Sequence, residues 1–286
     1  MFSSDALACQ TGPVTEHRAV ELSATPITVE SLVRDLQSLG VAAGDVVLVH
    51  SSLSRLGWVC GGAVAVVEAL LAALEPGGTL VVPTQTGDHT DPADWQHPPV
   101  PASWWDTIRE TMPAYRPQLT PSRAMGAIAE LVRTWPGALR SDHPHVSFAA
   151  LGPAAAEITA DHDLPNGLGD GSPLGWLYRA GAQVLLLGVG YDRCTSLHLA
   201  EYRAGVRQHV RQSGPVLVGG RRQWASWDDI DLDSTDFPAL GAAFDRTGHV
   251  YRGQVGNADA RLLRQRAVVD FSTAWIGVNR VTAPSA

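Results

Sequence analysis

The stretch that most limits the fold is residues 45–84. "DVVLVH" (45–50) is a β-branched apolar run bounded by polar residues, the pattern of a strand buried on both faces. An apolar helix follows over 62–78, closed by Pro76, Gly77 and Gly78, and "TLVVPT" (79–84) is a second buried strand. Strand, helix and strand in that order make a parallel pair joined by a right-handed crossover. Such a pair needs helices over both faces. The chain is therefore predicted to be α/β, a single domain with a central mixed, largely parallel sheet flanked by helices.

The remaining segments extend this unit. "TVESLVRDLQSLG" (28–40) predicts a helix capped by Thr28, with Glu30 in its first turn and Gly40 as its stop. A helix is predicted over 122–135, and strands over 146–152 and 183–190. After about 207 the chain reads as short strands and turns, and it ends in helix and strand through 267–280. Residues 85–122 are rich in Pro, Trp, Asp and His, and a long irregular insertion of this kind is often functional. The expected organisation is a loose N-terminal extension at 1–26, one domain at 27–280 and a tail at 281–286.

With 286 residues, the chain is long enough to bury a large core. A net charge of −8 argues against nucleic acid or an anionic membrane surface as partner, and suits a cationic ligand. There is no lysine, so all 21 basic residues are arginine. That excludes a Walker-type phosphate lysine and a Schiff-base lysine. Cys9, Cys60 and Cys194 are far apart and odd in number, which gives no disulfide framework and favours a reducing cytoplasm. Neither a signal peptide nor an 18-residue apolar run is evident.

Five stretches carry possible chemistry. "HSSLSRLG" (50–57) follows a buried strand, where open α/β sheets bind ligands. Ser51 and Ser52 offer hydroxyls and N–H groups for an anion, but the stretch is not a GxSxG elbow. In "TPSRAMG" (120–126), Thr120, Pro121 and Ser122 read as a helix start. Arg123 then falls in the first turn, where only an anionic ligand would favour it. His143 and His145 flank Pro144 without a third metal ligand at helical spacing, so no metal site is expected. "TSLHLAE" (195–201) puts Thr195, His198 and Glu201 on one helix edge. A histidine base there would need Glu201 or a distant carboxylate to fix its tautomer. "WDDIDLDSTDF" (227–237) holds five aspartates and would attract a polycation if it faced a cleft. "LGDGSPLGWL" (168–177), which includes Asp170, is Gly-rich but is not a dinucleotide fingerprint.

In combination these stretches resemble the aminoglycoside 3-N-acetyltransferase family, the antibiotic N-acetyltransferases. The matching segments are "GDVVLVHSSLSRLGWVCGG", "GGTLVVPT", "AMGAIAELVRTWPGALRSDHPHVSFAALG", "DGSPLGWLYRAGAQVLLLGVGYDRCTSLHLAEY" and "GQVGNADARLLRQRAVVDF", in family order over about residues 28–275. The likeness points toward members from antibiotic-producing actinobacteria.

The resemblance implies a fold distinct from the GNAT acetyltransferases. It implies acetyl-CoA as donor and the 3-amino group of a cationic 2-deoxystreptamine aminoglycoside as acceptor; a monomer or a homodimer is expected. It places the catalytic histidine at His198, paired with Asp229 or Asp231, with Thr195 near the thioester. It places donor contacts at His50, Ser51, Ser52 and Leu53 and at Ser122, Arg123, Met125 and Gly126. Antibiotic contacts fall to Asp170, Asp229 and Asp231, and Glu201 would contact an ammonium or shape the pocket. Arg116 in "PAYRP" stands where relatives carry aspartate, which bears on the range of antibiotics accepted. Three other readings are kept in view: acetyl transfer to another, biosynthetic amine; a hydrolase using Ser51 or Ser52 with His198; and a binder that sequesters the antibiotic.

Overall fold

The computed structural model describes residues 16–21 and 23–280. The expected tail at 281–286 and most of the extension at 1–26 lie outside the described residues. The described part of that extension is not loose. Glu16–Glu21 is a short helix, α1, and the Ser23 Oγ accepts the Trp58 N–H at 2.9 Å.

The βαβ unit forms as predicted, with β1 at Val46–Ser51, α3 at Gly62–Leu74 and β2 at Thr79–Pro83. Before it, α2 spans Val29–Leu39. Thr28 caps it in a reciprocal box with Ser31, and Gly40 ends it in the left-handed conformation. Next come α4 (Trp105–Thr111), α5 (Gly126–Arg133), β3 (Leu139–Arg140), β4 (Phe148–Leu151), α6 (Ala155–Ala160), α7 (Pro173–Ala180), β5 (Gln183–Leu187) and α8 (Ser196–Ala204). The chain closes with β6 (His209–Val218), β7 (Arg221–Ile230), α9 (Phe237–Asp245), β8 (Val250–Val255), β9 (Ala258–Arg264) and α10 (Gln265–Asn279).

Seven strands form the central sheet in the order β3-β4-β2-β1-β5-β9-β8. The β1/β2 and β1/β5 pairings are parallel, and the other four are antiparallel. Following the directions through those pairings, all strands but β4 and β9 run the same way, so five of the seven are co-directional. The segment after 207 forms two ten-residue strands, β6 and β7, in a separate hairpin.

Alternation along the central strands sorts the core into two layers. Val47 and Val49 of β1 pack with Leu32 and Leu36 of α2 and Val66 and Leu70 of α3. Leu48 packs on the opposite face with Leu197 of α8 and Val268 of α10. Val184 and Leu186 alternate with Leu185 and Leu187 in the same way. The helix after β1 thus covers one face and the helix after β5 covers the other. That reversal makes the carboxyl ends of β1 and β5 a topological switch point, where α/β sheets leave a crevice.

Candidate active site

Two cavities of about 790 Å³ each open at this end of the sheet. The first to consider lies in the crevice itself. It is lined by the end of β1 and its turn (Val49 to Arg55), the start of α5 (Gly126 to Ala129) and the segment from Gly188 to Thr195, with His198. Met125, the N-cap of α5, offers no side-chain cap bond. The first N–H groups of α5 are therefore left for solvent or ligand. Arg55 adds positive charge, while Arg193 on the same wall is paired with Asp192 at 3.2 Å. Hydroxyls, helix N–H groups and guanidinium groups together suit a phosphorylated, amide-bearing ligand.

His198 sits on α8 at the edge of this cavity. Its Nδ1–H donates to Glu201 Oε2 at 2.5 Å. Because Nδ1 holds the proton, Nε2 is the free basic nitrogen. Glu201 is completely buried beneath it. The other carboxylate oxygen, Oε1, accepts from Arg280 Nη1 and from the Asp233 N–H, the latter at 3.2 Å. Phe237 packs on the imidazole, with ring centroids 4.9 Å apart.

A second histidine stands behind the first. On β1, His50 shares a face with Leu48 and so points toward α8. Its Nε2 lies 3.1 Å from Thr195 Oγ1. Burial, and then the proximity of His198, lowers its pKa to about 3, so it stays neutral across the physiological range.

The second large cavity lies under the β6/β7 hairpin and the long loop. Asp88, Asp94, Asp229 and Asp231 line it, with Trp95, Trp227 and Tyr202. Four carboxylates on aromatic walls suit a polycationic ligand. Arg140 fastens the loop to the sheet: its Nη1 donates to the Pro117 carbonyl at 3.2 Å and to the Thr120 carbonyl, and its Nε to Thr84 Oγ1 and Ser147 Oγ at 3.0 Å each. The two cavities share Gln85, Ala124 and Met125. At this junction Ala124 is held at φ 59°, a left-handed conformation that costs a non-glycine residue about 1 kcal/mol.

The profile of the family described as aminoglycoside 3-N-acetyltransferase matches residues 48–277. The chain belongs to this family. An aminoglycoside N(3′)-acetyltransferase-like protein, YokD, from Bacillus subtilis is 44% identical over 259 residues, covering 90% of this chain and 95% of its own. Its crystal structure superposes with a TM-score of 0.91, over 93% of this chain and 99% of its own. Aminoglycoside N(3)-acetyltransferase IX from Micromonospora chalcea, an actinobacterial relative, is 37% identical, covering 89% of this chain and 95% of its own. AAC-IIIb in a binary complex with CoASH has a TM-score of 0.80 at 33% identity, over 92% of this chain and 100% of its own. AAC-VIa bound to sisomicin has a TM-score of 0.81 at 31% identity, over 91% of this chain and 100% of its own.

For this member of the aminoglycoside 3-N-acetyltransferase family, the predicted residues divide. His50, Ser51, Ser52, Leu53, Met125, Gly126, Thr195 and His198 come together in the crevice cavity. Asp229 and Asp231 line the acidic cavity. Four expectations are corrected. First, neither aspartate pairs with His198. Asp229 accepts the Tyr202 hydroxyl at 2.6 Å and the Gly167 N–H at 3.1 Å, and Asp231 binds Arg207 at 3.0 Å. Second, Glu201 is too deeply buried to touch an ammonium. Third, Asp170 is exposed, bound to Arg203 at 2.6 Å, and lines neither cavity. Fourth, α5 begins at Gly126, not near residue 122. Ser122 is turned away, its Oγ donating to Glu130 at 2.6 Å. Arg123 lies before the helix on the rim of the acidic cavity, 3.5 Å from Asp88, so no helix dipole opposes it.

Arg116 is exposed and lines neither cavity. His143 and His145 form part of the acidic cavity's wall, and their rings are engaged. The Nδ1 of His143 accepts the His145 and Val146 N–H groups at 3.1 Å, and the Nε2–H of His145 donates to the His89 carbonyl at 3.1 Å. Neither Ser51 nor Ser52 bonds to a histidine; Ser52 Oγ instead lies 3.2 Å from Ser54 Oγ. Among the described residues no helix is long and apolar enough to cross a membrane.

Sequence reasoning missed Arg280, Tyr202, Asp88 and Asp94. Arg280 had no local signal, since it lies 79 positions from Glu201. Asp88 and Asp94 fall in the long insertion that was marked as functional, and its composition was their only signal.

Proposed function

We propose that this enzyme transfers an acetyl group from acetyl-CoA to the 3-amino group of 2-deoxystreptamine aminoglycosides, with His198 as general base. The supporting observation is the His198–Glu201 pair, held at the edge of the crevice cavity with Nε2 free. Family membership supports the reaction class. The relatives bound to CoASH and to sisomicin support a nucleotide-bearing donor and a cationic acceptor.

In this reading acetyl-CoA occupies the crevice cavity, with its polar groups on the Ser51–Ser52 turn and the α5 N-terminus. The aminoglycoside occupies the acidic cavity, and the acetyl carbon is presented near Gln85 and Met125, where the two spaces meet. His198 Nε2 takes a proton from the acceptor nitrogen. The freed lone pair attacks the thioester carbonyl carbon, and the Thr195 hydroxyl donates to the oxyanion that forms. If the His50 Nε2–H donates to Thr195, the threonine proton is left pointing away from His50. The C–S bond then breaks and coenzyme A leaves as thiolate, which takes the proton held on His198, while the nitrogen loses its remaining extra proton to solvent to give the neutral amide. Glu201 stabilises the transient imidazolium and keeps the ring oriented.

The test is coenzyme A release, followed as free thiol, with acetyl-CoA and a panel of aminoglycosides beside unrelated amines. Release that requires an aminoglycoside, with the product acetylated at N3, is expected. Activity confined to another amine would keep the donor and discard the acceptor. Tight antibiotic binding with no release would replace catalysis with sequestration.

A further inference from the structure

The acidic cavity contains one charge that does not suit a polycation. Among the described residues lining it, Arg123 is the one arginine. Its Nη1 lies 3.5 Å from Asp88 Oδ2, and its Nη2 donates to the His97 carbonyl at 3.3 Å. The backbone beneath it is fixed. The Arg123 N–H donates to the Gln85 carbonyl at 2.8 Å, Glu130 holds the Ser122 N–H at 3.0 Å and its Oγ at 2.6 Å, and Ala124 is left-handed. What can move is the side chain, and it is 51% exposed.

The carboxylate that Arg123 covers is loosely held. Of the four lining the cavity, Asp229 accepts from Tyr202, Gly167 and Ile230, and Arg207 lies 3.0 Å from Asp231. Asp91, on the same loop as Asp88, is chelated by Arg109 at 3.0 and 2.8 Å. Asp88 has no such partner. Its Oδ1 is buried without a hydrogen bond, 3.9 Å from His89 Nδ1, which is unpaired as well. Its Oδ2 meets the Arg123 guanidinium at 3.5 Å, well beyond the roughly 2.8 Å of a good charge-assisted bond. A half-exposed pair of that length is held weakly. A compact ammonium arriving through the cavity is not tethered to a pinned backbone and can close to the shorter distance. Gln85, which anchors Arg123, and Ala124, which follows it, line both cavities, so this pair stands beside the junction.

We infer that Arg123 is a specificity-determining residue of the acceptor cavity: its guanidinium holds the position at Asp88 that an acceptor ammonium takes, and binding swings it aside. The inference rests on the acceptor reading above. An acceptor with an ammonium within reach of Asp88 displaces the arginine and gains a closer ion pair. One with a hydroxyl there gains nothing and leaves Arg123 in place.

The experiment measures aminoglycoside Kd by calorimetry at low salt on the full chain and on Arg123→Gln. Removing the competitor should lower Kd about threefold, with the acetyl-CoA KM unmoved. An arginine that merely straps the loop would give the opposite sign, and a raised or unchanged Kd would overturn the inference. A raised acetyl-CoA KM with the antibiotic Kd kept would assign Arg123 to the donor instead, and overturn it as well. The Asp88→Asn background separates displacement from a general field effect. There the gain from Arg123→Gln should vanish; the same gain in both backgrounds would reject displacement. Should the wild-type protein bind no aminoglycoside, the acceptor reading fails, and spermidine still reads the pair through the fluorescence of Trp95 and Trp227. Tighter spermidine binding in Arg123→Gln would support the inference. Equal binding, or none in either protein, would overturn it.

Discussion

Arg280, just past the end of α10, binds one oxygen of Glu201 while His198 binds the other. The same guanidinium is tied to Asp236 and to the Asp233 carbonyl. Three segments therefore hold one buried carboxylate. Arg280→Met would remove the closer of the two guanidinium groups at that carboxylate and leave Arg207, 3.9 Å away. Breaking a buried pair from one side costs roughly 3 kcal/mol. Urea denaturation should show that loss, and turnover should fall with it as His198 loses its fixed partner. An unchanged unfolding midpoint would contradict the role given to Arg280.

His198→Ala should lower turnover about a thousandfold, with a much smaller change in the KM for acetyl-CoA. Glu201→Gln keeps the volume and removes the charge that stabilises the imidazolium. It should cost roughly a hundredfold in turnover. Steady-state thiol release measures both, and near-wild-type turnover in His198→Ala would exclude it as base.

Cys194 lies four residues before His198 and could suggest an acyl-cysteine. The structure places it in the loop before α8, fully buried, and burial pushes its thiol up to about 12. Such a thiol is inert at neutral pH. Cys194→Ala should retain turnover within about threefold. Intact-mass analysis after mixing with acetyl-CoA alone should show no added acetyl group.

Stability should fall on mild acidification. Burial lowers His50 to about 3 and His145 to about 4, and holds His143 well below its usual 6.5. The unfolded chain takes up these protons first, near pH 6.5. The contribution is fully present above that pH and is lost as pH falls from 6.5 toward 4. Each such histidine adds a slope of roughly 1.4 kcal/mol per pH unit. Denaturant midpoints at pH 7 and pH 5 should differ, and the difference should shrink in His145→Gln if that variant folds.

Asp94 lines the acidic cavity and is not held by an arginine, unlike Asp231. Asp94→Asn should raise the antibiotic KM about threefold at low salt, and less at high salt, while leaving the acetyl-CoA KM in place. Asp229→Asn should behave differently. It removes a charge that holds Tyr202 and Gly167, so stability should drop together with affinity.

The βαβ unit, the cap at Thr28 and the buried strands were legible because each depends on neighbours within a few residues. The periodicities of 2 and 3.6 record local geometry and its burial. The same holds for the spacing of Thr195, His198 and Glu201, and for the segment order that identifies the family. Two misreadings also have local causes. Thr120, Pro121 and Ser122 form a credible helix start, but the chain stays irregular to Met125 because Arg140 and Glu130 hold those residues to the sheet and to α5. The acidic loop reads as free charge, yet Arg207, Arg211 and Arg280 neutralise Asp231, Asp228 and Asp236.

By itself, then, the sequence determined the α/β layering and the family, and marked His198 as the candidate base. Tertiary packing decided which carboxylate pairs with His198. Asp229, Asp231 and Glu201 were all available by composition and spacing. The return of Arg280 from the far end of the chain, with Arg207 beside it, offsets the burial of Glu201, while Tyr202 and Gly167 hold Asp229 and Arg207 holds Asp231. A side chain's charge is written locally, but its partner is chosen by whichever distant segment compensates its burial.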